Sequence, residues 1–568
     1  MRSSVTLVAA VLVGLPTVAE AAPYQRPGRT ERVSVASDGS EGNADSSFTV
    51  PRLSSDGRFV AFGSAASNLV PGDANGVSDV FVRDRVRGTT ERVSTAADGS
   101  EGNASSGNPA ISADGRLVAF HSNASNLVPG DTNGRQDIFV KDRETGEVRL
   151  VSVRPDGTPP SAASSFPAIS ADGSRVAFHS DAADLVPGDT NGRRDVFVHD
   201  LKSGETVRAS VTNDGGQGTS DTRDIPDISG DGRFVVFTSG SQLTTEDTNN
   251  RLDVFVRDIE TGRTELASIS TDGKIQKENT AGSPSISADG RYVTFDSASW
   301  NMVPLDTNGD LGPIFDTFMM GFDVYVRDRK LGVTEEVSVT PAGVEVDRDS
   351  GYSDISGDGR FVVFLSAGDL VTGERSPSGM YLHDRLTGVT ERVAVGIDGS
   401  PSTGGTPTIS ADGRSIAFQS SATNLVADDT NGKIDIFVRE RGPSTGTLWL
   451  EAEAEDGGIR ARAALGLGGL TVSTAQDAAG DVPPGVAELG ADLVGASLIH
   501  RAEQDDLLLR LPVTAIPEVR DPRLDAGSSG TMGVVHGLDL TVDGVRFEVR
   551  ASQRGAAISP RQMNPLDG

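Results

Sequence analysis

The sequence contains no cysteine among its 568 residues. This absence excludes disulfide bonds, thiolate catalysis, cysteine-based zinc sites and a lipidated N-terminal cysteine. Basic residues are also in the minority, with 51 Lys and Arg against 81 Asp and Glu, so the formal net charge is −30. A field of this sign repels phosphate backbones and anionic lipid surfaces, which argues against nucleic acid as a partner.

Long hydrophobic runs are missing beyond the N-terminus. Residues 1–21 have the pattern of a secretory signal peptide, in which Arg2 is followed by a short apolar run over 5–18 and small residues mark a cleavage site at 19–21. The run is too short to favour a membrane anchor. We therefore expect a secreted or periplasmic protein whose mature form does not span a membrane.

A segment of the type S-A-D-G-R-x-V-A-F recurs seven times along the chain. Its aspartates are Asp56, Asp114, Asp172, Asp231, Asp289, Asp358 and Asp412. A repeat of this length, rich in short β-type runs, indicates a repeat array such as a propeller rather than one irregular domain.

One repeat unit contains four short β-type runs, at residues 109–112, 117–120, 137–140 and 148–153. Asp114-Gly115 and Thr145-Gly146 separate neighbouring runs with typical hairpin residues. Four antiparallel strands per unit match one blade of a β-propeller. The sequence therefore predicts an all-β protein with seven blades.

Counting the fourth strands gives a prediction for how the ring closes. Copies occur at 30–35, 90–95, 148–153, 206–211, 264–269, 334–339 and 390–395. The first copy precedes blade 1, whereas blade 7 ends at 437–440 with no copy after it. We therefore predict that 30–35 completes blade 7 and places Arg32 beside Phe437. Closure leaves no unpaired blade surface, which an open solenoid would expose.

The element I-S-A-D-G-R-x-V-A-F followed by D-V-F-V-R-D-R resembles the WD-like propeller repeats of the TolB family. The resemblance covers about residues 30–441 and implies a propeller fold and an envelope compartment. TolB also has an N-terminal α/β domain, for which the few residues between 21 and 30 leave no room. The role of TolB in envelope integrity therefore does not transfer.

The remaining domain boundaries follow from composition. Residues 22–29 are a linker between the signal peptide and the propeller, and 442–447 form a second, polar linker. Runs at 448–454, 507–513, 538–542 and 545–549 indicate strands, while 461–469 is ambiguous. We expect a small β-sandwich-like domain over 448–558, followed by a flexible tail over 559–568.

The loop between the second and third strands is the most chemically suggestive element. Blades 1 to 5 and 7 carry D-x-N-x…D, which partly resembles a calcium loop. The candidate ligands are Asp131, Asn133 and Asp137 in blade 2, Asp189, Asn191 and Asp195 in blade 3, and Asp429, Asn431 and Asp435 in blade 7. The favoured alternative is that these side chains pin the turn by bonding nearby backbone groups. No catalytic, cofactor-binding or firm metal site is assigned.

Three further features concern the same loops and strands. The loops and the blade connectors should share one acidic face, on which blade 5 carries an apolar insertion between Asn308 and Asp323. We expect this insertion to pack within the molecule, with partner contact as the alternative.

A serine two residues after the phenylalanine recurs in every blade and should bond within the blade. The six histidines do not cluster, and we interpret His121 and His179 as variable surface positions.

Catalysis has little support, because no G-x-S-x-G nucleophile elbow occurs in the sequence. We therefore favour an exported, non-catalytic binding or scaffold protein that presents a propeller face to a protein or glycan. The first alternative is an extracellular hydrolase of glycans or peptides that uses carboxylates at the channel mouth. The second is a calcium-dependent adhesion module. No other cofactor is expected, and the sequence does not indicate an oligomeric state.

Overall fold

The computed structural model describes residues 28–46, 50–275, 280–299, 301–303, 321–346, 348–371 and 378–441, and the backbone of further strands outside these ranges. Within them every regular element is a strand, and no helix is long and apolar enough to cross a membrane. Contacts divide the chain into two units, 23–441 and a second made of 1–22 with 442–568. The predicted signal peptide and the insertion at 304–320 lie outside the described residues, apart from strand Thr6–Leu7.

The first unit is a seven-bladed β-propeller of four-stranded antiparallel sheets, as predicted. The first strands are Arg52–Leu53, Ser106–Ile111, Ser164–Ile169, Thr222–Ile228, Ala281–Ile286, Ser350–Ile355 and Thr408–Ile409. The second strands are Phe59–Ser64, Leu117–Ser122, Arg175–Ser180, Phe234–Ser239, Tyr292–Ser297, Phe361–Ser366 and Ser415–Ser420. First strands of neighbouring blades touch one another, so they line the central channel.

The outer half of each blade is formed by the third and fourth strands. The third strands are Asp79–Asp84, Asp137–Asp142, Asp195–Asp200, Asp253–Asp258, Asp323–Asp328, Gly379–Asp384 and Asp435–Glu440. The fourth strands of blades 1 to 6 are Thr89–Arg92, Val148–Leu150, Thr206–Arg208, Arg263–Leu266, Val333–Glu336 and Val389–Arg392. Valine, isoleucine and phenylalanine at the centre of the second and third strands are fully buried and pack between blades.

The N-terminal strand Thr30–Arg32 is the fourth strand of blade 7. It pairs antiparallel with Asp435–Glu440, and Arg32 lies opposite Phe437. The predicted closure is therefore confirmed. Val33, which follows the strand, is buried in the core shared by blades 7 and 1, beside Phe62.

The Asp-Gly turn between the first two strands is shaped by local hydrogen bonds. In blade 2, the Ser112 hydroxyl donates to Asp114 Oδ1 at 2.6 Å, and the Arg116 N–H donates to the same oxygen at 2.9 Å. Gly115 has a φ of +72°, and a Cβ there would collide with the ring of Phe59 in blade 1. This position needs glycine for two independent reasons, its backbone conformation and the neighbouring blade.

These turns are also joined to one another around the axis. Seven backbone hydrogen bonds of 2.9–3.2 Å run from each blade to the next, and they return from blade 7 to blade 1. The donor–acceptor pairs are Ser55–Ala113, Ala113–Ala171, Asp172–Gly230, Gly230–Ala288, Ala288–Gly357, Gly357–Ala411 and Asp412–Ser55. One end of the channel is therefore encircled by backbone hydrogen bonds.

An arginine after the third strand connects neighbouring blades at their outer edge. It binds a glutamate on the fourth strand of the preceding blade and a glycine carbonyl in its own turn. The Arg–Glu pairs are Arg85–Glu31, Arg143–Glu91, Arg329–Glu265, Arg385–Glu335 and Arg441–Glu391. Blades 3 and 4 have Leu201 and Ile259 at the arginine position. Because Glu31 belongs to the N-terminal strand, the closing junction uses the same ion pair as internal junctions.

The second unit contains only strands among its described residues. They are Thr6–Leu7, Leu448–Ala454, Arg460–Gly466, Gly469–Leu470, Ser497–Arg501, Asp506–Arg510, Asp525–Ala526, Gly533–Val534, Leu538–Asp539, Thr541–Val542 and Val545–Ser552. Leu448–Ala454 lies between Arg460–Gly466 and Val545–Ser552 in the largest sheet. The ambiguous stretch at 461–469 thus contributes a strand. A sandwich arrangement stays a prediction, because a packed second sheet is not among the described elements.

We predict that Glu31→Ala and Glu265→Ala each destabilise the protein by about 1–3 kcal/mol, because each removes a carboxylate that pairs with a mostly buried arginine, Arg85 or Arg329. The loss for Glu31→Ala should be the smaller one, since Arg85 also pairs with Glu440. The two glutamate side chains are matched in exposure, at 26% and 24%. Thermal or urea unfolding measures both variants. If Glu31→Ala leaves stability unchanged while Glu265→Ala lowers it, the N-terminal strand does not dock as described.

Gly115→Ala should lower the free energy of unfolding by more than about 3 kcal/mol, since it adds a steric clash to an unfavourable positive φ. Gly99→Ala is the matched control: Gly99 has a φ of +85°, but a Cβ there meets nothing within 4 Å. It should cost only about 1 kcal/mol. Equal losses in urea titrations would contradict the proposed contact between Gly115 and Phe59.

Candidate binding site at the channel mouth

The first strands of blades 2 to 6 share an irregularity at the same place. In blade 2, Gly107 lies opposite His121, but Ala110 lies opposite Ala119, so two residues bulge between the pairs. In each of the five blades the bulge contains a non-glycine residue with positive φ: Asn108 (44°), Phe166 (54°), Asp224 (53°), Ser283 (48°) and Tyr352 (57°). We call these the bulge residues. A disfavoured backbone repeated around an axis is typical of a functional site.

The bulge residues lie at the end of the channel opposite the hydrogen-bonded turns. Ser106 begins the first strand opposite Ser122, which ends the second strand. The bulges therefore lie near the loops that join second to third strands and near the blade connectors. The sequence predicted that these two kinds of loop share one end of the channel. Tyr352 and Asp224 are exposed, whereas Asn108, Phe166 and Ser283 are half-buried. This end forms the accessible mouth.

Blades 2 and 3 contribute an aromatic and imidazole group to the mouth. The Phe166 ring lies edge-on between His121 and His179, with ring centroids 6.2 and 6.3 Å away. Burial lowers the pKa of each histidine to about 4, so both are neutral at pH 7. The interpretation of these histidines as surface positions is wrong, because His179 is only 1% exposed and His121 is half-buried.

His179 fixes the bulge of the next blade. Its Nε2 lies 2.6 Å from the carbonyl oxygen of Asp224, and its Nδ1 lies 2.9 Å from the hydroxyl of Thr222. Because a carbonyl only accepts hydrogen bonds, the neutral imidazole carries its proton on Nε2 and donates it to Asp224. The unusual backbone of Asp224 is thereby held in place.

Two carboxylates from neighbouring blades meet beside Gly282. A Cβ on this glycine would lie 3.1 Å from Asp224 Oδ2 and 3.2 Å from Asp296 Oδ1. The Thr238 hydroxyl donates to Asp224 Oδ2 at 3.0 Å, and the Tyr352 N–H donates to Asp296 Oδ2 at 3.3 Å. The absence of a side chain at Gly282 therefore makes room for the carboxylate pair.

The two acids of this pair have different environments. Asp224 is exposed, whereas Asp296 is 8% exposed. Burial raises the pKa of Asp296 to about 6, a hydrogen bond from Ser283 opposes this shift, and the charge of Asp224 adds to it. The pair thus joins an exposed carboxyl group to a buried one whose pKa lies close to neutral pH.

A second polar group lies deeper along the channel. The Ser285 hydroxyl is 3.0 Å from Asp227 Oδ2 and 2.7 Å from Asp354 Oδ1. Burial raises the pKa of Asp354, although Arg52 of blade 1 opposes the shift. The hydroxyl has one proton and lies within hydrogen-bond distance of both carboxyl groups. Blades 4 to 6 are connected through this group.

The aspartates of the D-x-N-x…D loops do not form the open acidic face that we expected. All nine calcium candidates are described, and the six aspartates among them are at most 9% exposed. The asparagines pin their turns: Asn133 Oδ1 accepts from Arg135 N at 2.7 Å, and Asn133 Nδ2 donates to Asp137 Oδ2 at 2.7 Å. Among the described residues, no group of three or more His, Cys, Asp or Glu is arranged to hold a metal.

The recurring serine of the second strand bonds within its blade, as predicted. In blade 2 the Ser106 hydroxyl donates to Ser122 Oγ at 2.8 Å, and this oxygen also accepts from the Ala124 N–H. The apolar insertion of blade 5 lies outside the described residues, so its packing stays a prediction. In blade 6, Glu374 and Ser376 replace the first aspartate and the asparagine of the loop, and they also lie outside the described residues. Gly379, which replaces the second aspartate, begins a strand.

The sequence analysis did not predict the bulge residues at the channel mouth, although prolines in the first strands indicated them. Pro109, Pro167, Pro226 and Pro284 lie inside first strands. Proline interrupts strand pairing and is confined to edges or bulges. The bulge residue, which varies between blades, precedes this proline directly in blades 2, 3 and 5 and by two residues in blade 4, whereas blade 6 has Ser353 at the proline position. The isoleucine and serine that follow recur in all five blades. Proline inside a repeated strand beside a variable position therefore indicates both the bulge and the candidate site.

No family model matches the sequence, and no curated protein matches it either. Among solved structures, oligogalacturonate lyase from Vibrio parahaemolyticus matches with a TM-score of 0.44 and 13% identity, over 78% of this chain and 98% of that chain. The propeller domain of the Trilobed protease from Pyrococcus furiosus matches with a TM-score of 0.42 and 13% identity, over 70% and 95%.

TolB from Acinetobacter baumannii is also among the similar structures. Its TM-score is 0.31 at 16% identity, and the match covers 55% of this chain and 58% of that chain. This chain therefore spans a little over half the length of that TolB protein. At these identities the likeness concerns the fold alone and gives no information on activity. By fold, then, this protein is a seven-bladed propeller with TolB proteins among its structural neighbours.

Proposed function

We propose that this protein binds a glycan at the mouth of its channel, and that the bulge residues provide the binding surface. The observation that carries the proposal is the change of side chain at one strained position in five consecutive blades. The positions around it serve the architecture and repeat. The bulge position carries a different side chain in each of these blades, so the surface around the axis is asymmetric. Such a surface suits an asymmetric ligand that binds on the axis.

The chemistry of the mouth suits a sugar. Tyr352, at 59% exposure, and the half-buried Phe166 offer flat apolar surfaces. Asp224 and Asn108 supply carboxylate and amide groups that bond hydroxyls. Sugars present apolar ring faces and hydroxyl edges together, so they match a site with a few aromatic and a few polar groups. The net charge of −30 disfavours an anionic nucleic acid in the same place.

The site is also preorganised. His179 holds the backbone of Asp224, and Asp296 accepts the N–H of Tyr352. Both contacts fix the bulges without using the side chains that face solvent. A rigid site loses less conformational entropy when a ligand binds, which favours affinity. An exported propeller with such a mouth would act as a glycan-binding platform.

A glycan array probed with the mature protein tests this proposal. Tyr352→Ala and Asp224→Asn should each weaken binding to the best glycan by about tenfold or more, since one lost contact of about 1.4 kcal/mol has this effect. Leu331→Ala is the control, because Leu331 is an apolar residue with 40% exposure in the turn between the third and fourth strands of blade 5, at the opposite end of the channel. Binding that Tyr352→Ala and Asp224→Asn leave intact would contradict the proposed site.

The carboxylate pair favours glycoside hydrolysis as a second candidate. Such hydrolysis uses a carboxylic acid with a raised pKa beside a second carboxyl group, and the pKa of about 6 makes Asp296 an acid of this kind next to the exposed Asp224. In that case, Asp224→Asn and Asp296→Asn should abolish release of reducing ends from the bound glycan. Tyr352→Phe, which keeps the ring, should preserve turnover. Binding without any turnover would leave the first candidate alone.

The raised pKa of Asp296 also predicts a pH-dependent stability. Its pKa is 3.8 in an unperturbed state and about 6 in the fold, so the folded protein holds the extra proton between these values. The contribution of Asp296 to the free energy of unfolding of the wild type is therefore complete below pH 4, and it is lost as the pH rises through 6. Asp296→Asn lacks this loss, and should be more stable than wild type by about 2–3 kcal/mol at pH 7. Urea unfolding at pH 4 and pH 7 should show that advantage only at pH 7.

A further inference from the structure

Three blades neutralise the aspartates of the D-x-N-x…D loop in the same way. An arginine from the fourth strand places Nη1 between the two aspartates of the loop, with contacts of 2.9–3.6 Å. The groups are Arg92 with Asp73 and Asp79, Arg208 with Asp189 and Asp195, and Arg32 with Asp429 and Asp435. A glutamate or glutamine of the next connector also contacts this arginine. The loop of each of these blades therefore contains a built-in cation.

Blade 2 has the two aspartates without the arginine. Leu150 lies opposite Phe139, as Arg208 lies opposite Phe197 in blade 3. Pro159 stands where blade 1 has Glu101, so both members of the arginine–glutamate pair are replaced together. No ion pair is formed by Asp131 or Asp137 within the described part of the chain.

The unneutralised carboxylates are buried. Asp131 is 6% exposed, and its Oδ1 has no hydrogen-bond partner among the described residues. In blade 3 the corresponding atom, Asp189 Oδ1, is the one that lies 2.9 Å from Arg208. Asp137 is fully buried and accepts from Asn133 and Ser152. An unsolvated, unpaired carboxylate is costly, so this arrangement lacks a positive charge.

We propose that the loop of blade 2 binds a calcium ion between Asp131 and Asp137, at the place that the arginine guanidinium occupies in blade 3. The donors available there are oxygens, which calcium prefers, and neither histidine nor cysteine belongs to the loop. Only two carboxylates contribute, so the remaining ligands are backbone carbonyls or water. Few charged ligands give weak binding, with a dissociation constant of about 0.1–1 mM, as in extracellular modules.

The supporting electrostatics agree with this geometry. Burial raises the pKa of Asp137 to about 6, and the charge of Asp131 contributes to that shift. Burial also raises the pKa of Asp131. A bound dication reverses both shifts, because it stabilises the ionised forms.

Calorimetric titration of the full chain with calcium chloride counts the bound ions. Leu150→Arg supplies the missing guanidinium and should reduce the count by one, whereas Leu150→Met, which keeps an apolar side chain, should not. Asp131→Asn removes a ligand and should also reduce the count by one. The comparison between variants is independent of any ion bound elsewhere, including in blade 4, where Leu266 occupies the same strand position.

The converse variant is Arg208→Leu, which exposes the aspartates of blade 3 and should raise the count by one. In EDTA, Leu150→Arg should melt at a higher temperature than wild type, because the guanidinium replaces the ion. Equal counts for Leu150→Arg and Leu150→Met would overturn the proposal. So would a wild-type protein that takes up no calcium at millimolar concentrations. A folded Asp131→Asn variant with an unchanged count would overturn it independently of any effect of the new arginine.

Discussion

Closure of the ring is the constraint on which the rest of the structure depends. Thr30–Arg32 completes blade 7, and the bond from Asp412 to Ser55 returns the encircling backbone hydrogen bonds to blade 1. A chain without cysteine has no covalent means of joining its ends. Glu31 and Val33 therefore join blade 7 to blade 1 with the ion pair and the apolar packing used between other blades. Closure therefore reuses the contacts of the repeat and adds one ion pair, between Arg85 of blade 1 and Glu440 of blade 7.

A closed ring separates the two ends of the channel by function. The turn end is encircled by backbone hydrogen bonds, and at most of its Asp-Gly turns a Cβ on the glycine would clash with the preceding blade, as at Gly115. Its sequence therefore repeats. At the mouth end, backbone hydrogen bonds also join neighbouring blades, as from Ser106 to Ser78 and from Ser164 to Gln136, but they lie where the first strands begin and not at the bulge residues. Variation is tolerated there at the positions of Phe166 and Tyr352, which is why a rigid scaffold can carry an irregular site.

The architecture was predictable because the residues that determine it recur in every blade. Seven Asp-Gly turns and one displaced fourth strand were enough to place Arg32 beside Phe437. The mouth was not predictable in the same way, since a bulge is a change of register between strands, and Phe166 and Tyr352 are not residue types that favour positive φ. The expected exposure of the loop aspartates was wrong for a further reason. Composition shows how many aspartates a loop has, but not that Asn133 and its neighbours bury Asp137.

Because the blades repeat, the surroundings of a buried aspartate in one blade can be compared with those of the equivalent aspartate in another blade. Where a blade contains Arg208 beside Asp189 and Asp195, the protein shows how it neutralises this loop without a ligand. Asp131 is bonded by no comparable group, although its backbone follows the same path. Single buried acids in an irregular protein are hard to interpret, because nothing indicates what their partner should be. In a repeat protein the neighbouring blade supplies that comparison, and an acid that lacks the common partner marks a place where another molecule or ion completes the structure.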